Sequence, residues 1–328
     1  MDIIKNVSII FISIFFESLP FLLLGSLISA IIETYISNDT IAKIIPKNKI
    51  IGSFIGVILG FFLPACDCAV IPISKRLLKK KVPLNVAISF MLASPIINPV
   101  VLLSTYNAFY RTNKEIFWYR LIFGIIIALI IGTIMGIIFN KKEVITNRLI
   151  DEDETDKNDE VDEDFKDIIE EVEESHDCCC HEHNYKHTVK NDFLSICKHT
   201  GCDLFEVVKF LIIGALIASL IQVLLPRSIL MIFKNNQILS IIVLMIFAYL
   251  ISLCSTSDSF VGKSLLSTFG ESSIIAYLLL GPMIDIKNTI VLLGNYKKNF
   301  VWTLIFLIFI VIFIFSILVV RLLWVKSS

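Results

Sequence analysis

The chain has 328 residues, 56 % of them apolar and 18 % charged, with a mean hydropathy of +0.81 and a formal net charge of −1. Soluble domains carry about a quarter charged residues, so this composition excludes an ordinary water-soluble globule, and nothing in it suggests a nucleic-acid surface. The small net charge averages unlike parts, because 16 of the 30 acidic residues fall within Asp151–Asp177.

In chain order, apolar blocks lie near 7–36, 50–72, 84–107, 117–139, 204–225, 238–260, 272–293 and 300–326. Each is close to or above the roughly 20 helical residues needed to cross a bilayer. The first is too long for a cleavable signal and lacks a small-residue cleavage site. Runs such as Leu121–Ile138 do not alternate apolar and polar residues as barrel strands do. In lipid the backbone must satisfy itself, which favours helices despite the many β-branched residues. The expected fold is an all-α polytopic membrane protein with about eight transmembrane helices.

The blocks pair up. The segment Phe16–Ser29, with Glu17 and Gly25, matches Phe205–Ala218, with Glu206 and Gly214, at a shift of 189. Cys66 matches Cys254, and Ser94-Pro95-Ile96-Ile97-Asn98 matches Gly281-Pro282-Met283-Ile284-Asp285, at nearly the same shift. Shared apolar composition would not align Glu, Gly, Cys and Pro together. The expected organisation is a first repeat over 1–140, a loop over 141–199 and a second repeat over 200–328. Four crossings per unit would make the repeats parallel, whereas a re-entrant segment would make the number odd and the repeats inverted.

Two places in each half interrupt the apolar helices. Pro64-Ala65-Cys66-Asp67-Cys68-Ala69-Val70-Ile71-Pro72 holds two prolines eight residues apart, and Ser94-Pro95-Ile96-Ile97-Asn98-Pro99 repeats the feature. Their counterparts are Cys254-Ser255-Thr256-Ser257-Asp258 and Gly281–Asp285. Paired interruptions in corresponding segments point to a transport site. A lone membrane cysteine is usually a packing residue, but Cys66 and Cys68 flanking an acid, with Cys254 in the other half, form a soft-ligand set suited to Cu(I), Zn(II) or trivalent arsenic. Asp67, Asp258 and Asp285 are carboxylates within apolar helices, which are functional candidates by default. Ser94, Pro95, Asn98 and Pro282 complete the expected path. Glu17 and Glu206 stand between an interfacial and a cavity role, and Lys209 and Lys287 are read as chains that snorkel to the surface.

Between the repeats, the segment His176–Cys202 holds all five histidines and five of the eight cysteines. Cys178, Cys179, Cys180, His181 and His183 are expected to chelate Cu or Zn loosely, since their spacing is not that of a folded zinc finger. Three adjacent thiols suit a reducing compartment. Basic residues including Lys75, Arg76, Lys79, Lys80, Lys81, Lys141, Lys142 and Arg148 put that loop and the N-terminus in the cytoplasm of a plasma-membrane protein. The opposing loops, with Lys43, Lys47, Lys49, Arg111, Lys114 and Arg120, carry fewer.

The stretch Pro64–Pro72, the string Ala93-Ser94-Pro95-Ile96-Ile97-Asn98-Pro99 and the two-unit plan resemble the bacterial permease family that includes the ArsP-type organoarsenical efflux permeases and copper/zinc efflux transporters. The resemblance covers both membrane halves. It departs at Asp67-Cys68-Ala69, where many relatives have Ser-Cys-Gly. It implies efflux of a thiophilic metal or metalloid by a permease, not an enzyme, with no tightly bound cofactor. The partners expected are the carried ion, the lipid bilayer and a second copy of the chain. No Walker-type phosphate loop is present. The alternatives are a membrane thiol-redox enzyme using Cys66 and Cys68, and a permease for an unrelated solute with its cysteines as packing.

Overall fold

The structure is a computed structural model that describes residues 2–35, 48–63, 67–80, 82–139, 144, 189–224 and 236–327. Cys66 and the chelating set Cys178, Cys179, Cys180, His181 and His183 lie outside the described residues. Every element among the described residues is helical: α1 (Asp2–Tyr35), α2 (Lys49–Phe62), α3 (Asp67–Lys79), α4 (Leu84–Ile97), α5 (Pro99–Phe109), α6 (Glu115–Ile138), α7 (Val189–Leu224), α8 (Gln237–Ile251), α9 (Ser255–Phe269), α10 (Glu271–Met283), α11 (Ile286–Asn295) and α12 (Lys298–Ser327).

Among the described residues, six stretches are long and apolar enough to cross a membrane: those in α1, α6, α7 and α12, and the two tandem pairs α4–α5 and α10–α11. The expected spans over 50–72 and 238–260 are not continuous helices. Each divides into a short apolar helix (α2 or α8) and a second helix (α3 or α9). A helix of 14 or 15 residues reaches only about 20 Å at 1.5 Å per residue, short of the roughly 30 Å hydrocarbon core.

The path of these short helices follows from their contacts. A Cβ on Gly52 would meet Asn85 and Val86, and one on Gly60 would meet Ala93 and Ser94. Thus α2 and α4 run parallel, and α3, which joins the end of one to the start of the other, must run back. The same holds beyond the central segment. Phe247 stacks near Tyr277, and the Ser252 hydroxyl receives the Lys287 N–H, so α8 runs parallel to α10–α11. Meanwhile α9 returns antiparallel to α10, with Gly262 against Ile274 and Leu278, and Gly281 against Asp258.

Glycines set how closely these helices approach. Gly52, Gly56 and Gly60 recur every four residues and put one bare stripe of α2 on α4, the small-residue device of membrane helix packing. From the other side Gly124, Gly132 and Gly136 of α6 meet Ile96, Ser89 and Asn85. Every residue of α4 is buried between them. In the second half, α10 is buried from Ser272 to Met283, packed by α8, α9 and α12. The outer faces carry large exposed apolar side chains such as Phe16, Phe62, Phe205, Trp302 and Phe306, an area too large for a water-facing surface.

Three helices from the two halves close around a buried arginine. Arg120 of α6 is fully buried; its Nη1 donates to Thr105 Oγ1 at 2.7 Å and to Ser259 Oγ at 2.8 Å, and its Nη2 donates to the Ser255 carbonyl at 3.4 Å. Nearby, Tyr277 donates to Asp258 Oδ1 at 2.9 Å, and the other carboxylate oxygen is buried without a hydrogen-bond partner. Lys75 is also buried and donates to Asn295 Oδ1 at 3.1 Å. This corrects the reading of Lys75 and Arg120 as loop charges, so both drop out of the count on which the expected orientation rests. An internal position suits them because Arg120 finds three oxygens there and Lys75 finds the Asn295 side-chain carbonyl, and a buried cation requires such partners.

Two predictions follow from this packing. Gly60→Val places a Cβ about 2.9 Å from the Ser94 backbone nitrogen, an overlap that costs ~1–3 kcal/mol or more. It should lower the melting temperature in detergent, whereas Gly201→Ala, with nothing within 4 Å, should not. Equal melting temperatures for the two variants would contradict the close α2–α4 contact. Tyr277→Phe removes the donor to a carboxylate whose other oxygen is already unpaired, a loss of ~1–3 kcal/mol. The same thermal measurement checks it, and an unshifted transition would mean that Asp258 finds another donor.

Candidate functional site

The interruptions arise from local chemistry. Asn98 precedes Pro99 and takes φ −54° and ψ 130°, the extended conformation that a following proline favours. Its side chain then caps α5, accepting the Val100 N–H at 3.0 Å. The matching break has no second proline. There Ile284 is extended and Asp285 caps α11, accepting the Asn288 N–H at 2.6 Å. Between α8 and α9, Ser252 adopts a left-handed conformation with φ 50°, the only non-glycine residue to do so among the described residues, and ends α8 as αL residues commonly do. Pro95 and Pro282 lie inside α4 and α10, three residues before the breaks and not at them.

These breaks bring helix N-termini together in the interior. Ser255, the first residue of α9, donates its hydroxyl to Asp67 Oδ1 at 2.7 Å, joining it to the first residue of α3. Cys68 Sγ lies 3.8 Å from Asn288 Oδ1 of α11. Helix N-termini carry partial positive charge. Acids stand at all three: Asp67 opens α3, Asp258 lies in the first turn of α9, and Asp285 caps α11. All three are buried.

A cavity of about 230 Å³ opens beside this junction. Its walls are α1, α7, the start of α3, the Ser252–Cys254 turn and Lys287 of α11. The polar groups on it are Ser13, Glu17, Ser18, Asp67, Cys68, Gln222, Ser252, Cys254 and Lys287. Gln222 Oε1 is buried there without a hydrogen-bond partner. A smaller cavity touches Asp67 from the other side and is bounded by Met91, Pro282, Met283 and Asn288. Asp67 thus stands between two spaces.

The expected site residues divide accordingly. Asp67, Cys68 and Cys254 share the larger cavity, and Pro282 borders the smaller. Ser94 donates to the Leu63 carbonyl at 3.1 Å, and Asn98 and Asp285 act as caps. Pro95 lies inside α4, and Asp258 accepts from Tyr277. Among the described residues, no three His, Cys, Asp or Glu side chains are grouped to hold a metal ion. Lys287 does not snorkel outward: it is 4 % exposed, pairs with Asp285 at 3.7 Å and faces the cavity. Burial is tolerated because the carboxylate offsets the desolvated ammonium. Glu17 borders the cavity with an exposed side chain, and the Glu206 side chain lies outside the described residues. Sequence reasoning missed Ser252 and Gln222. Neither carries a signal beyond its place near a break or late in an apolar block.

The chain matches the ArsP_1 family, described as predicted permease, over residues 3–320. UPF0718 protein YcgR of Bacillus subtilis is 38 % identical over 310 residues, covering 94 % of this chain and 95 % of its own. A Streptococcus mutans protein, named for a subunit of a two-component membrane permease complex, is 36 % identical over 292 residues, or 89 % of this chain and 87 % of its own. UPF0718 protein MJ0584 of Methanocaldococcus jannaschii shares 28 % identity over 124 residues, 37 % of this chain and 33 % of its own. No solved structure matches the chain. With six crossing-length apolar stretches among the described residues, the chain belongs to the ArsP_1 family of predicted permeases and is a multi-pass helical membrane protein.

Proposed function

We propose that this permease exports a thiophilic metal or metalloid from the cytoplasm, binding it in the cavity where Asp67, Cys68 and Cys254 meet. The observation that carries this reading is that two thiols and a carboxylate, from segments 186 residues apart (Cys68 to Cys254), border one space beside the helix breaks. Thiols favour soft ions, and the carboxylate balances their charge. The described residues form no finished metal cage, so loading draws the two thiols together, with Cys66 available next to Asp67 in the chain. Such gathering couples binding to a change in the protein.

The crossings support alternating access. Three crossing-length stretches precede the central segment (α1, α4–α5, α6) and three follow it (α7, α10–α11, α12). On this reading α2–α3 and α8–α9 go in and back, each unit crosses an odd number of times, and the second unit lies upside down relative to the first. The cavity lies where the two units meet. The central Cys/His-rich segment serves as a cytoplasmic collector of Cu or Zn in this scheme. The name of the Streptococcus mutans relative suggests a second membrane component as well. Purification from native membranes tests that point, and a chain that carries no stoichiometric partner would contradict it.

Transport tests the reading. In proteoliposomes loaded in turn with Zn(II), Cu(I), arsenite or a methylated trivalent arsenical, the wild type should release one of them. Cys254→Ser and Cys68→Ser should each slow that release about tenfold or more, equivalent to ~1.4 kcal/mol of lost stabilisation, with unchanged melting temperature. Full rates in both variants would remove the thiols from the path and favour an unrelated solute.

A further inference from the structure

Lys287 is hard to explain as a packing residue. It occupies the second position of α11, where the positive helix end disfavours a cation, and it is 4 % exposed, where desolvation disfavours any charge. Space has nevertheless been cleared for it. On α7, a Cβ at Gly214 would stand 3.1 Å from Lys287 Cα and 3.4 Å from its Cγ, so a larger residue there would push the lysine stem aside by a few tenths of an ångström. The ammonium reaches Asp285 Oδ2 at 3.7 Å, an ion pair longer than a hydrogen bond, and that oxygen has no hydrogen-bond partner. Lys287 also faces the cavity that Glu17 and Asp67 border, and it is the single cation among the described residues that line it.

We propose that Lys287 is a resident counter-ion that stands in for a cationic cargo at the buried carboxylates, and that the cargo loads by displacing its ammonium. The inference rests on the permease reading above. With the site empty, the ammonium neutralises Asp285 and Asp67, so the empty carrier can change its facing without exposing unpaired acids to an apolar interior. With a cation bound, those acids are already balanced and the lysine swings aside. A lysine stem has the rotamer freedom to do so, and its compact charge exchanges for a metal ion more readily than a planar guanidinium would.

Two consequences separate this role from a merely structural one. Replacing Lys287 with Gln removes the competitor, so cation affinity rises. It also leaves the empty site unbalanced, so net efflux fails while exchange of cation for cation across the membrane continues. Purified protein is titrated with Zn(II) and with Cu(I), and proteoliposomes are assayed for net efflux and for exchange. For Lys287→Gln we expect binding at least tenfold tighter than wild type, net efflux reduced at least tenfold, and exchange retained. Lys287→Arg, which keeps the charge but yields it less readily, should recover part of the net efflux. The double variant Lys287→Gln/Asp285→Asn serves if the single one fails to fold, since it removes the charge pair together; it should also bind without competition. Unchanged or weaker binding in Lys287→Gln, with efflux and exchange falling together, overturns the displacement mechanism alone when Cys254→Ser still weakens binding. A wild-type protein that binds neither cation overturns both the cation reading and the inference built on it.

Discussion

A helix that stops inside an apolar interior leaves backbone groups that water cannot reach, and each such group costs free energy until something pairs with it. The arrangement of this protein depends on meeting that demand. The Leu63 carbonyl at the end of α2 takes the Ser94 hydroxyl, and the Thr256 carbonyl in the first turn of α9, already an acceptor within its helix, takes the Ser104 hydroxyl as well. The Ser255 carbonyl takes an Arg120 N–H, and the Lys287 N–H finds Ser252. Asn98 and Asp285 cap the helices that begin at their own breaks. Two of these bonds, Ser104 to Thr256 and Arg120 to Ser255, run between residues on either side of the central segment. Breaking the helices therefore ties the two parts of the chain together, and the breaks are tolerated because they face protein and cavity instead of lipid.

The same demand accounts for the buried charge. Among the described residues Asp67, Asp258 and Asp285 are buried, and so are Lys75, Arg120 and Lys287, three of each sign. The acids also answer the positive ends of α3, α9 and α11. A single unpaired ion in this interior would be prohibitive, whereas a balanced set with many hydroxyl partners is stable. Balance of this kind is easily shifted by one added charge. A cargo that enters as a cation must therefore find a place already held by another cation, which is the position Lys287 occupies.

Close packing supplies the frame. Glycine stripes on α2 and α6 hold α4 from two sides, and α10 is enclosed by its own neighbours. Rigid, fully buried helices next to interrupted ones give a structure in which some parts can shift while others hold. The cavity lies on the side of α1 and α7, whose outer faces are lipid-exposed, and not within the tightest packing.

The sequence by itself determined that the chain is helical and lies in a membrane, because length of apolar run and lack of alternation suffice for both. It also located the interruptions to within a few residues, since Pro99 restricts Asn98 whatever the surroundings. The chain's membership of a permease family was legible in the string from Ala93 to Pro99. Tertiary structure alone decided that two of the eight apolar blocks turn back, because a helix of 14 residues and a bent longer one look alike in composition. It alone decided that Lys75, Arg120 and Lys287 are internal. A cation near the end of an apolar block reads as a loop or snorkelling residue until the oxygens that receive it are known, and those oxygens come from remote parts of the chain. The grouping of Asp67, Cys68 and Cys254 around one cavity with Gln222 and Lys287 was of the same kind. Their spacing in sequence carries no distance, and only the packing of α1 and α7 across the breaks brings them to one space.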